Sequence, residues 1–294
     1  MSSEGADLQR LAELLGGRGL EGPGDDAALL RSPGDILLTM DPLVEGVHFE
    51  TGTEVRRIAH KLLHRNLSDL AAMGARPRAI LGSFVFSKNW DQQQRYALYE
   101  ALARECRDLQ VQWIGGDLAS TKGTTVLTLC ALGAPAGEAP IPRSGLRPGM
   151  HLHVTGPLGG SLASGRHLDF QARVELGVRL AQRHPPAAMM DISDGLALDL
   201  SRMLAASGGL GAQLVESRIP LHGSLEAALH EGEDYELLFA LEDSQEEALS
   251  RDPAIPEVAK IVIGEVLAEP GILLDRGQGR IVELPDAGYE HEFS

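Results

Sequence analysis

The sequence predicts a two-domain α/β (α+β) protein, and three observations lead there. Short apolar runs bounded by glycine or proline alternate with stretches of helical spacing in both halves of the chain. Residues 135–148 carry Pro135, Pro140, Pro142 and Pro148 with Gly137 and Gly145, the composition of a connection between domains. With 294 residues and 43% hydrophobic content, the chain can bury a real core in one large or two medium domains. The expected division is a first domain over 1–134 and a second over 149–294, joined by 135–148.

In the first half, Leu8–Leu15 reads as a short amphipathic helix stopped by Gly16-Gly17. Gly22-Pro23-Gly24-Asp25-Asp26 forces a turn bearing two carboxylates. Ile36–Met40 is a buried strand that delivers Asp41 at its carboxyl end, with His48 in the glycine-containing segment beyond. From Thr53 or Glu54 to Met73, Ile58, Leu62, Leu63, Leu67 and Leu70 form a helical stripe that Gly74 ends. Asn66 and Asp69, three apart, are neighbours on one face; alone, Asp69 would read as a surface charge. Ala79–Phe86 is a strand, and Asp91–Leu109 an amphipathic helix in which periodicity makes Tyr99 a core residue. Val111–Ile114 runs into a Gly115-Gly116-Asp117 turn whose bare backbone could approach a phosphate. Thr124–Leu132 closes the unit.

The second half opens with strand His151–Thr155 and a glycine-rich stretch, Gly156–Ser161, which lacks the Gly-Lys-Ser/Thr ending of a Walker A loop. Gln171–Arg183 is helical, Ala188–Ile192 is a strand, and Gly195–Ala206 is a helix capped by Gly208-Gly209. The Asp191-Ile192-Ser193-Asp194-Gly195 step between them is a strand–turn–helix junction, which offers amide N–H groups to an anion. Gly211–Val215, Glu236–Ala240, Ile261–Leu267, Ile272–Leu274 and Ile281–Leu284 are the remaining strands. The Gly288–His291 tail is polar with one aromatic.

Composition narrows the function. A net charge of -16 argues against a nucleic-acid binder, which needs a basic face. Cys106 and Cys130 form no disulfide framework and suit buried thiols in a reducing compartment. The first ten residues lack a signal-peptide pattern, and no apolar run approaches the roughly 20 residues of a membrane span. The expectation is a soluble, cytoplasmic protein.

Five acidic clusters punctuate the chain: Gly24–Asp26, Thr39–Asp41, Asn66–Asp69, Gly115–Asp117 and Asp191–Gly195. Carboxylates sharing one cleft repel one another unless cations neutralise them. Oxygen-rich clusters suit hard divalent ions, Mg²⁺ above all, so the pattern points to a metal–phosphate enzyme. Arg143, in the connecting segment, offers a guanidinium fork for phosphate oxygens, or is simply a solvated linker arginine. His60 and His64 have i,i+4 spacing but no Glu follows His60, so the zinc-protease pattern fails.

Together these motifs name a family. Gly24–Ala28, Asp41–Phe49, Asn66–Ala75, Ile114–Asp117, Arg143–Gly145, Asp191–Leu196 and Gly232–Leu237 occur in the order of thiamine-monophosphate kinase, which the chain resembles over almost its whole length. Aminoimidazole ribonucleotide synthetase and selenophosphate synthetase belong to the same superfamily. The resemblance implies an amino-terminal domain whose mixed sheet pairs with that of a second subunit, a carboxyl-terminal α/β domain, and a homodimer. It implies ATP-dependent phosphorylation of thiamine monophosphate to thiamine diphosphate with several Mg²⁺ ions. By motif position, Asp26, Thr39, Met40, Asp41, Asp69, Asp117, Asp191 and Asp194 would be metal ligands. Tyr99, Gly116, Asp117, Arg143 and Ser193 would touch ATP, and His48, Glu233 and Tyr289 would face the thiamine phosphate. Asp191, Asp194 and Arg143 would carry the catalytic step.

Some positions depart from the family. Met40 stands where a hydroxyl residue is usual, leaving only its carbonyl for a hard cation. Glu231 replaces a glycine beside the acceptor pocket, and the stretch from Gly160 to His184 is short, with Asp169 and Ala172 in place of prolines. Selenophosphate synthetase is disfavoured because no Cys precedes the Gly24–Asp26 turn. The nearest rival is another ATP-dependent member of the same superfamily with a different acceptor, and a non-catalytic nucleotide-binding module is the rival from another class.

Overall fold

A computed structural model describes residues 28–30, 34–285 and 287–289. The expected Leu8–Leu15 helix, the Gly22–Asp26 turn with Asp26 itself, and the end of the tail at Glu290 and His291 lie outside the described residues.

The apolar run at Ile36 becomes strand β2 (Ile36–Val44), flanked by β1 (Ala28–Leu30). With β3 (Ala75–Ser87), β4 (Gln112–Thr121) and β5 (Val126–Pro135) it forms a five-stranded sheet in the order β1-β2-β5-β3-β4. The sheet is mixed: β3 and β4 are parallel and every other pair is antiparallel. A parallel pair needs a crossover, and α2 (Gln92–Asp108) supplies it, capped by Asp91. Helix α1 (Val55–Ala72) packs beside α2 on the face that carries Leu37, Leu43, Ile80, Phe84, Leu127 and Leu129. The opposite face leaves Met40 63% and Leu81 40% exposed, so among the described residues it has no cover.

The second domain is built on a seven-stranded sheet in the order β12-β11-β8-β10-β6-β9-β7. Its strands are β6 (His151–Val154), β7 (Ala188–Asp191), β8 (Gly211–Val215), β9 (Leu237–Leu241), β10 (Gly264–Leu267), β11 (Gly271–Asp275) and β12 (Ile281–Leu284). Its helices are α3 (Ser161–Ser164), α4 (Val174–Arg183), α5 (Leu196–Ala206), α6 (Leu225–His230) and α7 (Asp243–Arg251). A separate core joins the two domains: Ala71 and Ala72 of α1 pack with Leu180 and Ala181 of α4 and with Leu237 and Phe239 of β9. The approach is close enough that a Cβ on Gly177 would stand 2.3 Å from the Ala71 carbonyl oxygen, so only glycine fits there. Among the described residues, no helix is long and apolar enough to cross a membrane.

Several elements differ from expectation for identifiable reasons. β2 continues to Val44, so Asp41 lies within the strand; β1 pairs with Ile36–Leu38, and Pro42 sits where, among the described residues, that edge has no strand neighbour. Gly115-Gly116-Asp117 is no turn but part of edge strand β4, because β3 extends to Ser87 and pairs with it. Helix α4 begins only at Val174, since the Ala172 amide is taken by His64 Nδ1 at 3.1 Å. The strand expected from Ile261 starts at Gly264, after the Val215 amide has bonded the Ile263 carbonyl. Helices α6 and α7 were not anticipated, although Glu242 and Gln245 form a capping box that marks the start of α7.

His60 and His64 converge with Glu105 of α2, their ligand-capable atoms within 4.8 Å of one another. His60 Nε2 donates to the Phe170 carbonyl (2.7 Å), and its Nδ1 lies 3.1 Å from Glu105 Oε1. His64 Nδ1 accepts the Ala172 N–H, which places the ring proton of the neutral form on Nε2. The chemistry is that of a hydrogen-bonded histidine–carboxylate cluster tying α1 to the second domain. Burial pulls the His60 pKa down, but hydrogen bonding and charge from Glu105, with Phe170 and Asp169, outweigh it and hold it above the ordinary 6.5. Burial and the His60 charge push His64 down to about 3.

These opposite shifts predict a stability maximum near the ordinary histidine pKa. The folded chain keeps the His60 proton longer than the unfolded chain, so this contribution is complete below 6.5 and is lost as pH rises through the folded value. His64 stays neutral where the unfolded chain protonates, so its contribution falls as pH drops from 6.5 toward about 3. Thermal melts over about pH 5 to 8 should show that His60→Gln removes the alkaline decline and keeps the acid one. An alkaline decline of equal size in the variant would contradict this assignment.

Candidate functional site

Helix α1 presents polar side chains where its surroundings are closed. Register puts Thr39 and Asp41 of β2 on the helix-covered face of the sheet, and Met40 on the uncovered one. The Asp41 amide donates to Asn66 Oδ1 (2.9 Å), and the Thr39 hydroxyl donates to Asp69. Asp69 is therefore a half-buried, hydrogen-bonded carboxylate and not a solvated surface charge. One residue earlier, the Ser68 hydroxyl donates to Asp191 Oδ2 at 2.6 Å, joining α1 to the end of β7. Thr39, Asp41, Asp69 and Asp191 thus line one wall assembled from both domains.

The turn after β7 is held from within. Buried Asp199, in the first turn of α5, accepts the amides of Ser193 (3.0 Å) and Asp194 (2.9 Å) through Oδ2. These N–H groups were expected to face an anion, but a side chain has already taken them. Burial, with the Asp194 charge added, pushes the Asp199 carboxyl up to about 7. Arg202 reaches both Asp194 and Asp199, and Arg143 in the connecting segment bears on the same group electrostatically. Gly195 adopts φ 107°, and a Cβ there would lie 2.7 Å from the Leu229 carbonyl oxygen.

The expected acceptor-facing residues gather around this turn. The Glu233 amide donates to the Ser193 carbonyl (2.7 Å), and the Tyr289 amide donates to the Asp194 carbonyl (3.0 Å). Glu233 has a left-handed backbone, φ 60°. His48 is buried; its Nδ1 accepts the Val44 amide (3.0 Å), and its carbonyl accepts Lys61 Nζ (2.9 Å). Lys61 Nζ also lies 2.6 Å from the Glu233 carboxylate.

Tyr99, Gly116 and Asp117 form a second group. They line a cavity of about 420 Å³ with Phe84, Trp113 and Leu118. The Tyr99 ring lies stacked on Phe84, 6.2 Å between centroids, so it is half core and half cavity wall. A Cβ on Gly116 would stand 1.9 Å from the Gly82 carbonyl oxygen, which leaves glycine as the residue that permits β4 to pair here. β4 is three strands from β2, about 14 Å, so one chain keeps this group apart from Asp41 and Asp69. By register, Asp117 pairs with Ser83, on the uncovered face with Met40.

A larger cavity, about 800 Å³, opens between β3, α1 and α4 and contains no expected site residue. Two arginines on its wall are occupied, Arg173 by Glu236 and Arg179 by Asp252. The glycine-rich loop is likewise engaged, its Gly159 amide and Ser161 hydroxyl donating to buried Asp234 at 2.8 and 2.5 Å.

Sequence reasoning missed Lys61, Arg65 and Asp199. Lys61, Arg65 and Asp69 recur every four residues on α1, a polar stripe that runs beside the apolar one. Arg65 Nε bonds Asp41 Oδ2 at 2.8 Å, so the protein supplies cations of its own to Asp41, Asp194 and Glu233. The remaining donors at Thr39, Asp41, Asp69, Asp191 and Asp194 are all oxygens, the set that fits Mg²⁺.

Residues 24–134 match the family described as AIR synthase related protein, N-terminal domain, and residues 149–275 match AIR synthase related protein, C-terminal domain. The thiamine-monophosphate kinase of Rhodopirellula baltica is 34% identical over 293 residues, covering 92% of this chain and 90% of its own. The crystal structure of thiamine-monophosphate kinase from Stenotrophomonas maltophilia is 28% identical, covers 92% of this chain and 95% of its own, and superposes with a TM-score of 0.72. AaThiL, solved complexed with AMPPCP and TMP, has the same fold at a TM-score of 0.81, with 24% identity over 95% of this chain and 96% of its own. The chain belongs to the thiamine-monophosphate kinase family.

Proposed function

We propose that this protein transfers the γ-phosphoryl group of ATP directly to thiamine monophosphate. The observation that carries the reading is the two-domain wall of Thr39, Asp41, Asp69 and Asp191 beside the Glu233 turn, in a chain of this family. An oxygen of the acceptor phosphate attacks the γ-phosphorus in line, the bond to the β-phosphate oxygen breaks, and ADP and thiamine diphosphate result. The attacking oxygen is already anionic, so no strong base is needed. Alignment and charge neutralisation are what remain for the protein to provide.

Asp26, Thr39, Met40 through its carbonyl, Asp41, Asp69, Asp117, Asp191 and Asp194 are the residues that would hold Mg²⁺. Bound there, several ions would supply Lewis-acid neutralisation of the phosphates. Tyr99, Gly116, Asp117, Arg143 and Ser193 would bind the nucleotide, Tyr99 offering its ring and Arg143 its charge. His48, Glu233 and Tyr289 would bind the acceptor. Asp191, Asp194 and Arg143 lie nearest the step itself in this scheme. Asp199 holds the turn that carries Ser193 and Asp194.

The acceptor assay tests the reading. Purified protein with Mg²⁺ and ATP should release ADP only when thiamine monophosphate is added, and mass spectrometry should find thiamine diphosphate. Free thiamine, whose alcohol is no ready oxyanion, should stay unchanged. Diphosphate formed equally well from thiamine, or nucleotide binding with no turnover at all, would sink the proposal in favour of the rival acceptor or the non-catalytic module.

Asp69→Asn separates the metal role from a structural one. Asn can still accept the Thr39 hydroxyl, so the metal-free protein should melt within about 0.5 kcal/mol of wild type. With Mg·ATP the variant should gain less thermal stability than wild type, because stabilisation follows affinity for the folded state. Turnover should drop by roughly two orders of magnitude. Wild-type turnover in this variant would remove Asp69 from the scheme.

The assembly we propose is a twofold dimer across the uncovered sheet face, where Met40 and Leu81 are exposed and Asp117 also lies. A face this apolar is better covered than left in water. Light scattering at micromolar concentration should give twice the chain mass of 31.4 kDa, and Met40→Lys should shift the protein toward monomer. A wild-type monomer would overturn it.

A further inference from the structure

We propose that Lys61 is a positioning residue for the acceptor, acting through the Glu233 carboxylate and the His48 carbonyl to fix both acceptor-facing segments. The inference rests on the acceptor reading above and deepens it. Lys61 is 0% exposed in the middle of α1, between Ile58 and the leucines at 62 and 63, where packing alone would favour an apolar side chain. An ammonium buried there must be paired, since desolvation disfavours its charge. Its partners come from two different domains: Glu233 Oε2 at 2.6 Å and the His48 carbonyl at 2.9 Å.

Glu233 is thereby held at both ends. Its amide is bonded to the Ser193 carbonyl at 2.7 Å, and its backbone is in the left-handed region. Gly232 before it must be glycine, since a Cβ would lie 2.3 Å from the same Ser193 oxygen. The Glu233 side chain is 17% exposed, with Oε2 buried against Lys61 and the other oxygen left to face a ligand. An ionised carboxylate accepts hydrogen bonds and attracts cations. Glu233 so placed selects an acceptor whose ring bears N–H groups or positive charge, apart from its phosphate. Lys61 contributes to that selection by fixing where the carboxylate points. Burial lowers the Lys61 pKa and the Glu233 charge opposes the fall, so the ammonium depends on that carboxylate for its charge.

The experiment is a double-mutant cycle read in steady-state kinetics. Lys61→Met keeps length and apolar volume while removing the charge. We expect KM for thiamine monophosphate to rise about tenfold or more, with KM for ATP and kcat changed by no more than about twofold. Glu233→Gln should raise the same KM, and adding Lys61→Met to it should cause little further loss, because the lysine acts through the glutamate. Lys61→Arg should recover part of the loss. An unchanged acceptor KM in Lys61→Met, equal losses for ATP and acceptor, or additive effects in the double variant would overturn the assignment. If Lys61→Met fails to fold, a wild-type acceptor KM in Glu233→Gln overturns it alone. A wild type that binds ATP and does not turn over thiamine monophosphate instead fails the acceptor reading, and this inference with it. Normal wild-type turnover with an indifferent Lys61 fails only the inference.

Discussion

A helix buried on most of its surface cannot leave its polar side chains unpaired, and that constraint on α1 organises the whole molecule. Ile58, Leu62, Leu63, Leu67 and Leu70 fill the first domain's core, as an amphipathic stripe should. The remaining faces of α1 are also covered, yet they carry His60, Lys61, His64, Arg65, Asn66, Ser68 and Asp69. Each of these finds a partner on another element: Phe170, Glu233, Ala172, Asp41, Asp191 or Thr39. Losing one partner of a buried polar pair costs about 1–3 kcal/mol. The bonds that dock the domains are therefore the bonds that shape the acidic wall.

The same logic explains the division between the two residue groups. The first sheet is covered on one face by α1 and α2, and Thr39 and Asp41 project toward that cover. Met40 and Asp117 project away from it, on strands separated by β5 and β3. Strand alternation alone sets these directions, so neighbours in sequence such as Met40 and Asp41 belong to opposite surfaces. In the proposed dimer the uncovered face would turn toward a second copy and cover its exposed apolar side chains.

Much of this was legible in the sequence wherever period and punctuation agreed. Gly211–Val215 and Ile281–Leu284 are strands with the expected bounds, and the α1 stripe ends at Gly74 as its cap signal indicated. Gly115-Gly116-Asp117 misled because glycine marks both turns and close strand approaches, and only the position of the Gly82 carbonyl distinguishes them. Lys61 was hidden by its charge: a lysine is normally a surface residue, and its burial depends on a glutamate 172 positions later in the chain. Asp199 was hidden by distance of another kind. It lies five and six residues beyond the amides it accepts, across a turn whose course the sequence does not disclose.

That hidden carboxylate bears on how the turn after β7 could work. Had the Ser193 and Asp194 amides been free, a phosphate would have to order them on arrival, and part of its binding free energy would be lost to that ordering. Asp199 instead orders them beforehand, and Arg202 balances the charge that results. Ser68 fixes Asp191 on one side of the turn, while the carbonyls of Ser193 and Asp194 hold Glu233 and Tyr289 on the other. Every backbone group of this short segment named here is committed to the protein itself. The half-buried side chains of Ser193 and Asp194 are thus presented on a frame that is complete without a ligand. Preorganised groups of this kind lower a barrier because they need not reorganise as charge develops.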